Sequence, residues 1–210
     1  HYFGIFQEDF ERIRNLTNRY GVILVEDCAH YFNLTFAERV ESKADFAFYS
    51  LHKFFPFKDG GALKISSQKL KLDFDSLENK NLGSNILDYD IKGIIEKRRL
   101  IFLYLENYLD SNPYIKLFHS LKENDIPHNF PLLIKNNLRE KVYFKMQEEG
   151  YPLIALYYRL IQPIYDRKDQ SMIDLSNSIL NLPVHQDTVQ DDLEKLVLCF
   201  EKVLFNLNQA

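Results

Sequence analysis

Val22-Ile23-Leu24-Val25-Glu26-Asp27-Cys28-Ala29-His30 is an aliphatic run that stops on an acid. Four consecutive β-branched or aliphatic residues without polar alternation predict a short strand covered on both faces, as in a parallel sheet. Just upstream, Phe10, Ile13, Leu16 and Tyr20 recur at three- and four-residue steps between charges, which predicts an amphipathic helix over Glu8 to Tyr20 with Gly21 as its stop. A helix that feeds a buried strand points to an α/β layer. Asp27 then stands at the carboxyl end of the strand, where open α/β sheets place their ligands.

Two further strands are expected nearby. Asp45 to Ser50 alternates and is rich in aromatics, and Gly61 to Ser66 follows a turn at Lys58-Asp59-Gly60. Ser67 to Asn85 is polar and reads as a surface excursion. Helical spacing returns from Ile91 to Leu109, with Lys97, Arg98 and Arg99 expected on the exposed side of the longest helix. Beyond it, Asn129 to Ile134 reads as a strand, Arg139 to Glu149 as a helix closed by Gly150, and Asp191 to Leu207 as a last amphipathic helix. The expected domains are residues 1–88, part of a large domain, and residues 89–210, a linking helix followed by a small α+β domain.

A chain of 210 residues with 46% hydrophobic composition can bury a real core. Asp plus Glu outnumber Lys plus Arg by 30 to 26, and no basic stripe is interleaved with aromatics, which argues against a nucleic-acid partner. No apolar run is long enough to span a bilayer, and the first residues lack the order of a signal peptide, so a cytoplasmic protein without a membrane partner is expected. Cys28 and Cys199 make neither a disulfide framework nor a metal-ligand spacing and read as buried thiols; no metal is expected. The sequence opens without Met on His1-Tyr2-Phe3-Gly4, as if entered midway, and a missing N-terminal portion is expected.

Lys53 follows the second strand in a run with Phe54, Phe55, Pro56 and Phe57, neighbours that would desolvate an amine and depress its pKa. A lysine chosen at random is a solvated surface residue, and a strand-end acid such as Asp27 more often caps a turn than binds a ligand. Ser50 could offer a hydroxyl to a phosphate or simply close a turn. Asp59-Gly60-Gly61, taken alone, is best read as a tight turn.

In combination these residues resemble the DegT/DnrJ/EryC1/StrS family of sugar aminotransferases, which use pyridoxal 5'-phosphate (PLP) on the type I, aspartate-aminotransferase-like fold. His1-Tyr2-Phe3-Gly4 is similar to the family's H-x-y-G segment and Glu26-Asp27-Cys28-Ala29-His30 to its E-D-x-A-[QH] strand end. Ser50-Leu51-His52-Lys53 with Asp59-Gly60-Gly61-Ala62 is similar to the lysine segment and the glycine pair behind it. Gly83-Ser84-Asn85 resembles the G-x-N motif, and Leu182-Pro183-Val184-His185 the L-P-[LV]-H near the C-terminus. Five landmarks in family order are hard to obtain by chance.

The resemblance implies an α/β fold: the C-terminal part of a type I enzyme, a mainly parallel sheet with flanking helices plus the small α+β domain. It implies that Lys53 carries the cofactor as a Schiff base and acts as general base, and that Asp27 pairs with the pyridinium nitrogen. His30 is expected near the phenolic oxygen, although a histidine satisfied in the core is as common. Ser50 would contact the cofactor phosphate and Asn85 that of the neighbouring subunit in a homodimer. His185 would be a landmark of the fold. The implied reaction moves an amino group from an amino-acid donor, glutamate in the family, to a keto sugar nucleotide.

Two positions depart from the family pattern: Leu87 stands where a basic residue usually follows G-x-N, and Ser-Leu-His precedes the lysine in place of the commoner His-Pro-Thr. The sugar dehydratases of the same group replace the lysine by histidine, so Lys53 argues against that activity. The alternative from another class is a non-catalytic, truncated or degenerate homologue acting as an interaction or dimerisation module.

Overall fold

The computed structural model describes residues 1–32, 44–66 and 86–209. The chain divides into two compact units, residues 1–96 with 124–128, and residues 97–123 with 129–210. The surface excursion expected over Ser67 to Asn85, and with it Asn85, lies outside the described residues.

In the first unit, α1 spans Phe10–Tyr20 and ends on Gly21 in the left-handed conformation (φ 63°), where glycine carries no Cβ penalty. Strands β1 (Val25–Cys28), β2 (Phe46–Ser50) and β3 (Gly61–Ile65) form one sheet in that order. β1 and β2 are parallel, from Val25 opposite Phe46 to Cys28 opposite Tyr49, whereas β2 and β3 are antiparallel. The short connection dictates the second pairing, because a parallel return needs a crossover of a dozen or more residues. Gly60 makes the turn at φ 116°, and a Cβ on Gly61 would stand 2.8 Å from the Tyr49 carbonyl oxygen.

β1 differs from its sequence reading in register and in burial. The ladder with β2 begins at Val25, so Val22 to Leu24 lead into the strand and Asp27 is its third residue. Val22, Ile23 and Val25 are exposed, and the strand alternates, burying Glu26 and Cys28. The physical reason is that, among the described residues, the sheet is covered on one face only: that face packs on the core of Tyr31, Phe32, Tyr49, Leu51, Phe54 and Phe55, and the other carries Val25, Phe48 and Leu63 exposed. Asp45 binds α1 to this sheet. Its buried carboxylate accepts two hydrogen bonds from the Arg14 guanidinium, at 2.8 and 3.2 Å, and one from the Leu24 N–H at 2.9 Å.

Helix α2 spans Ile91–Leu109 as expected, but Arg98 is buried rather than exposed. At helical spacing it falls on the stripe of Ile91, Ile94, Ile101, Phe102 and Leu105. Its Nε–H donates to Gln186 Oε1 at 2.8 Å, and burial lowers its pKa to about 10 against the opposing charge of Asp187.

The second unit is a small α+β layer. β4 (Ile115–Leu117), β5 (Asn129–Ile134) and β6 (Ile179–Pro183) form an antiparallel sheet in that order. It is accompanied by α3 (Arg139–Glu148), α4 (Gln162–Asp166), α5 (Gln170–Ser178) and α6 (Gln190–Gln209). Phe130, Leu132, Val142, Met146, Leu182, Val197 and Phe200 sit at its centre with essentially no exposure. Asn181 exchanges backbone hydrogen bonds with Ile154, and its Nδ2 donates to the Ile154 carbonyl at 3.0 Å.

Phe130, fully buried against Phe102 at a ring separation of 4.7 Å, provides a test of this core. Phe130→Ala is expected to destabilise the second unit by about 3–5 kcal/mol through lost burial and a residual cavity, read as a lower denaturant midpoint at unchanged slope.

Candidate active site

The parallel pairing of β1 with β2 brings the carboxyl ends of both strands to one edge of the sheet, with Asp27, His30, Ser50 and Lys53 all within or just beyond them. Asp27 is exposed. Its Oδ1 accepts from the Ala29 N–H at 2.9 Å, so the carboxylate both closes a local turn and keeps its second oxygen for other use. Both readings of a strand-end acid thus hold for one residue.

Lys53 closes a short 3-10 turn, Leu51–Lys53, whose start is pinned by the Leu51 N–H on the Gly60 carbonyl at 3.1 Å. Phe54 and Phe55 beside it are buried. Burial lowers the lysine pKa, and the charge of Asp27 opposes the shift. The ammonium is therefore disfavoured at a site within electrostatic reach of a carboxylate. Ser50, at the end of β2, has its Oγ 3.3 Å from His52 Nδ1.

His30 is partly buried in the turn after β1. Burial, with a smaller contribution from the Lys53 charge, lowers its pKa to about 4, which keeps the imidazole neutral near pH 7. Its Nδ1 accepts a hydrogen bond from the Phe3 backbone N–H at 3.3 Å, and its ring lies against that of His128, 4.9 Å between centroids. Asp27, His30 and Lys53 thus interact electrostatically, and Ser50 stands three residues before the lysine.

Sequence reasoning overlooked what supports this group. His1 has Nε2 at 2.6 Å from Glu26 Oε1 while Nδ1 accepts from the Gln7 N–H at 3.0 Å. An imidazole that accepts at Nδ1 cannot be protonated there, so the contact with Glu26 is a hydrogen bond from a neutral ring rather than an ion pair. His1, Glu26 and Cys28 have the residue types of a metal site and lie within 4.8 Å of one another. The 2.6 Å contact is nevertheless shorter than the separation of about 3.3 Å between two ligands of one tetrahedral zinc, and burial pushes the Cys28 thiol up to about 12. The trio is a packed, hydrogen-bonded support.

Residues 124–128 are the second overlooked part. The Ile126 N–H donates to the Gly4 carbonyl and the His128 N–H to the Phe3 carbonyl, both at 2.9 Å. Asp125 Oδ1 accepts from the Phe6 N–H at 2.8 Å, and the Tyr31 hydroxyl donates to the Asn124 carbonyl at 2.8 Å. The resemblance of His1 to Gly4 to H-x-y-G marked one half of this arrangement; no local signal marks the other. His185 lies in the second unit, half-exposed, 3.7 Å from Asp187, its pKa lowered by burial and by Arg98.

Residues 1–89 match the model of the DegT/DnrJ/EryC1/StrS aminotransferase family. The chain is 25% identical over 223 residues to the UDP-4-amino-4,6-dideoxy-N-acetyl-beta-L-altrosamine transaminase of Campylobacter jejuni, an alignment covering 85% of this chain and 58% of that protein. Its fold is similar to that of Helicobacter pylori PseC, an aminotransferase involved in the biosynthesis of pseudoaminic acid (TM-score 0.73, 19% identity, 98% of this chain and 65% of the other). It is equally similar to NtdA of Bacillus subtilis with bound cofactor PMP (TM-score 0.73, 17% identity, 97% and 55%). The chain spans little more than half the length of the curated relative it matches. The fold is that of the type I aminotransferases, and the stretch bearing Asp27, His30, Ser50 and Lys53 lies within the residues that match the DegT/DnrJ/EryC1/StrS aminotransferase family model.

Proposed function

We propose that this chain is part of a PLP-dependent aminotransferase that moves an amino group from an amino acid, with glutamate as the expected donor, to a keto sugar carried on a nucleotide. The observation that carries the reading is the meeting of Asp27, His30 and a lysine of lowered pKa at the carboxyl edge of β1 and β2, within the stretch that matches the family. The acceptor class is supported by the names of relatives that aminate sugars.

The residues of the first unit suit the cofactor: a carboxylate for the ring nitrogen, a neutral imidazole for the phenolic oxygen, a hydroxyl for the phosphate and an amine for the aldehyde. When bound, PLP supplies an electron-accepting ring that makes the donor's Cα–H bond breakable. Asp27, oriented by the Ala29 N–H, would pair with the ring nitrogen and favour its protonated form. Lys53 would hold the cofactor covalently through Nζ. Freed from that bond, Nζ would serve as the group that takes up and returns a proton, a task that its lowered pKa favours. Ser50 serves the phosphate, and Asn85 that of the neighbouring subunit in a homodimer. Among the described residues no helix is long and apolar enough to cross a membrane, and we place the reaction in the cytoplasm.

Covalent attachment separates this reading from that of an interaction module. Purified protein mixed with PLP and reduced with borohydride is expected to gain the cofactor mass on Lys53, after an absorbance band that Lys53→Ala abolishes. A band that survives the substitution, or a label on another lysine, removes the assignment. The electrostatics give a second expectation. In the cofactor-free protein Lys53 should titrate below the other lysines, followed by NMR of 13C-methylated amines, because burial disfavours its charged form. Asp27→Asn removes the charge that favours the ammonium, so the Lys53 titration should fall further; a rise would contradict the proximity of the two groups.

A further inference from the structure

Phe3 adopts φ 61°, a left-handed conformation uncommon for a non-glycine residue, and Gly4 follows at φ 84°. Both residues offer their carbonyls to residues 126–128. Gly4 has no room for a side chain, since a Cβ would collide with the Ile126 carbonyl oxygen. The segment is thus held by backbone pairing on one side, and on the other it turns the Phe3 N–H toward His30 Nδ1 at 3.3 Å. Strain in a backbone so held marks a position whose geometry matters.

A backbone N–H can only donate, so His30 Nδ1 can only accept, and the proton of a neutral ring must sit on Nε2. Among the described residues Nε2 has no hydrogen-bond partner, which leaves one donor on the ring available to a ligand. We propose that the Phe3 backbone N–H, positioned by the pairing of Phe3 and Gly4 with residues 126–128, locks His30 as an Nε2–H donor, making Phe3 and Gly4 positioning residues for the contact with the cofactor's phenolic oxygen. The inference rests on the function proposed above for its ligand, but not for the tautomer.

The chemistry requires this choice. A phenolate oxygen accepts hydrogen bonds; an imidazole protonated on Nδ1 would face it with a lone pair, whereas Nε2–H makes a charge-assisted bond. Glutamine can reproduce both halves, its amide oxygen accepting from Phe3 and its NH2 donating to the ligand. Glutamate can accept from Phe3 but, ionised, donates nothing. The pair of substitutions therefore separates the donor role from mere packing.

The test is NMR of the 15N-labelled, cofactor-free protein, with the His30 signals identified by their loss in His30→Gln. The expected result is a single Nε2–H tautomer and a nitrogen–nitrogen coupling across the hydrogen bond between Phe3 N and His30 Nδ1. A proton on Nδ1, or a ring averaging both tautomers, overturns the proposal. Gly4→Ala, where it folds, is expected to release the ring into a tautomer mixture; retention of the single tautomer would show that the pairing does not set it. With PLP, His30→Gln should keep the wild-type Kd within about twofold and His30→Glu should weaken it about tenfold or more, the loss of one hydrogen bond to a charged group. Equal losses in both variants would reject the donor role. If the tautomer is as stated but Lys53 takes no label, the cofactor reading fails while the lock stands; a labelled Lys53 with a mixed tautomer gives the converse.

Discussion

Two hydrogen bonds hold the first unit together around its chemistry: those from the Ile126 and His128 N–H groups to the carbonyls of Gly4 and Phe3. They exist because residue 4 is glycine, the one residue that permits so close a backbone approach. With residues 3 and 4 fixed, the segment around them supplies backbone N–H groups to two imidazoles, Phe3 to His30 and Gln7 to His1. Both rings are thereby held neutral with Nε2 as the donor. His1 spends its donor on Glu26 in β1, whereas the ring of His30 feels the charges of Asp27 and Lys53. The same support thus sets a structural histidine and a site histidine by one rule.

The electrostatics of Asp27, His30 and Lys53 follow from partial burial rather than from close ion pairing. Desolvation lowers both His30 and Lys53, each tending toward its uncharged form, while Asp27 partly opposes it. An amine whose charged form is disfavoured, beside a neutral imidazole and a carboxylate side chain, is a combination suited to attachment and protonation of an electron-accepting ring. The buried ionisable groups around them play a different part. Cys28 and Tyr31, whose pKa values are raised by burial, stay protonated and contribute packing.

Much of this was legible in the sequence where pattern and position coincide. Helix α1 with its Gly21 stop, β2, β3, α2, β5, α3 and α6 stand within a few residues of where periodicity and breakers put them. β1 was displaced by three residues because hydrophobicity marks apolar side chains, whereas a strand begins where its partner does, here at Phe46. Arg98 was misplaced because its charge outweighed its helical phase. β6 carries Asn181 inside an apolar run and follows α5 with no breaker between, so neither its type nor its start was marked. Ordered landmarks singled out Asp27, His30, Ser50 and Lys53, which the pairing of β1 with β2 brings to one edge of the sheet. Backbone donors such as the Phe3 N–H leave no trace in residue identity, and the return of residues 124–128 to the first unit is a long-range event without a local signature.

That return has a consequence for the timing of synthesis. Gly4 leaves the ribosome well before its partner Ile126, which follows only after the stretch 97–123 of the other unit. At about 5–20 residues per second the interval is on the order of ten seconds. Throughout it the carbonyls of Phe3 and Gly4 lack the segment that pairs with them. A nascent chain of this design holds Phe3 and Gly4 without their partners until residue 128 has been made, so its yield in a cell depends on what shields that segment meanwhile.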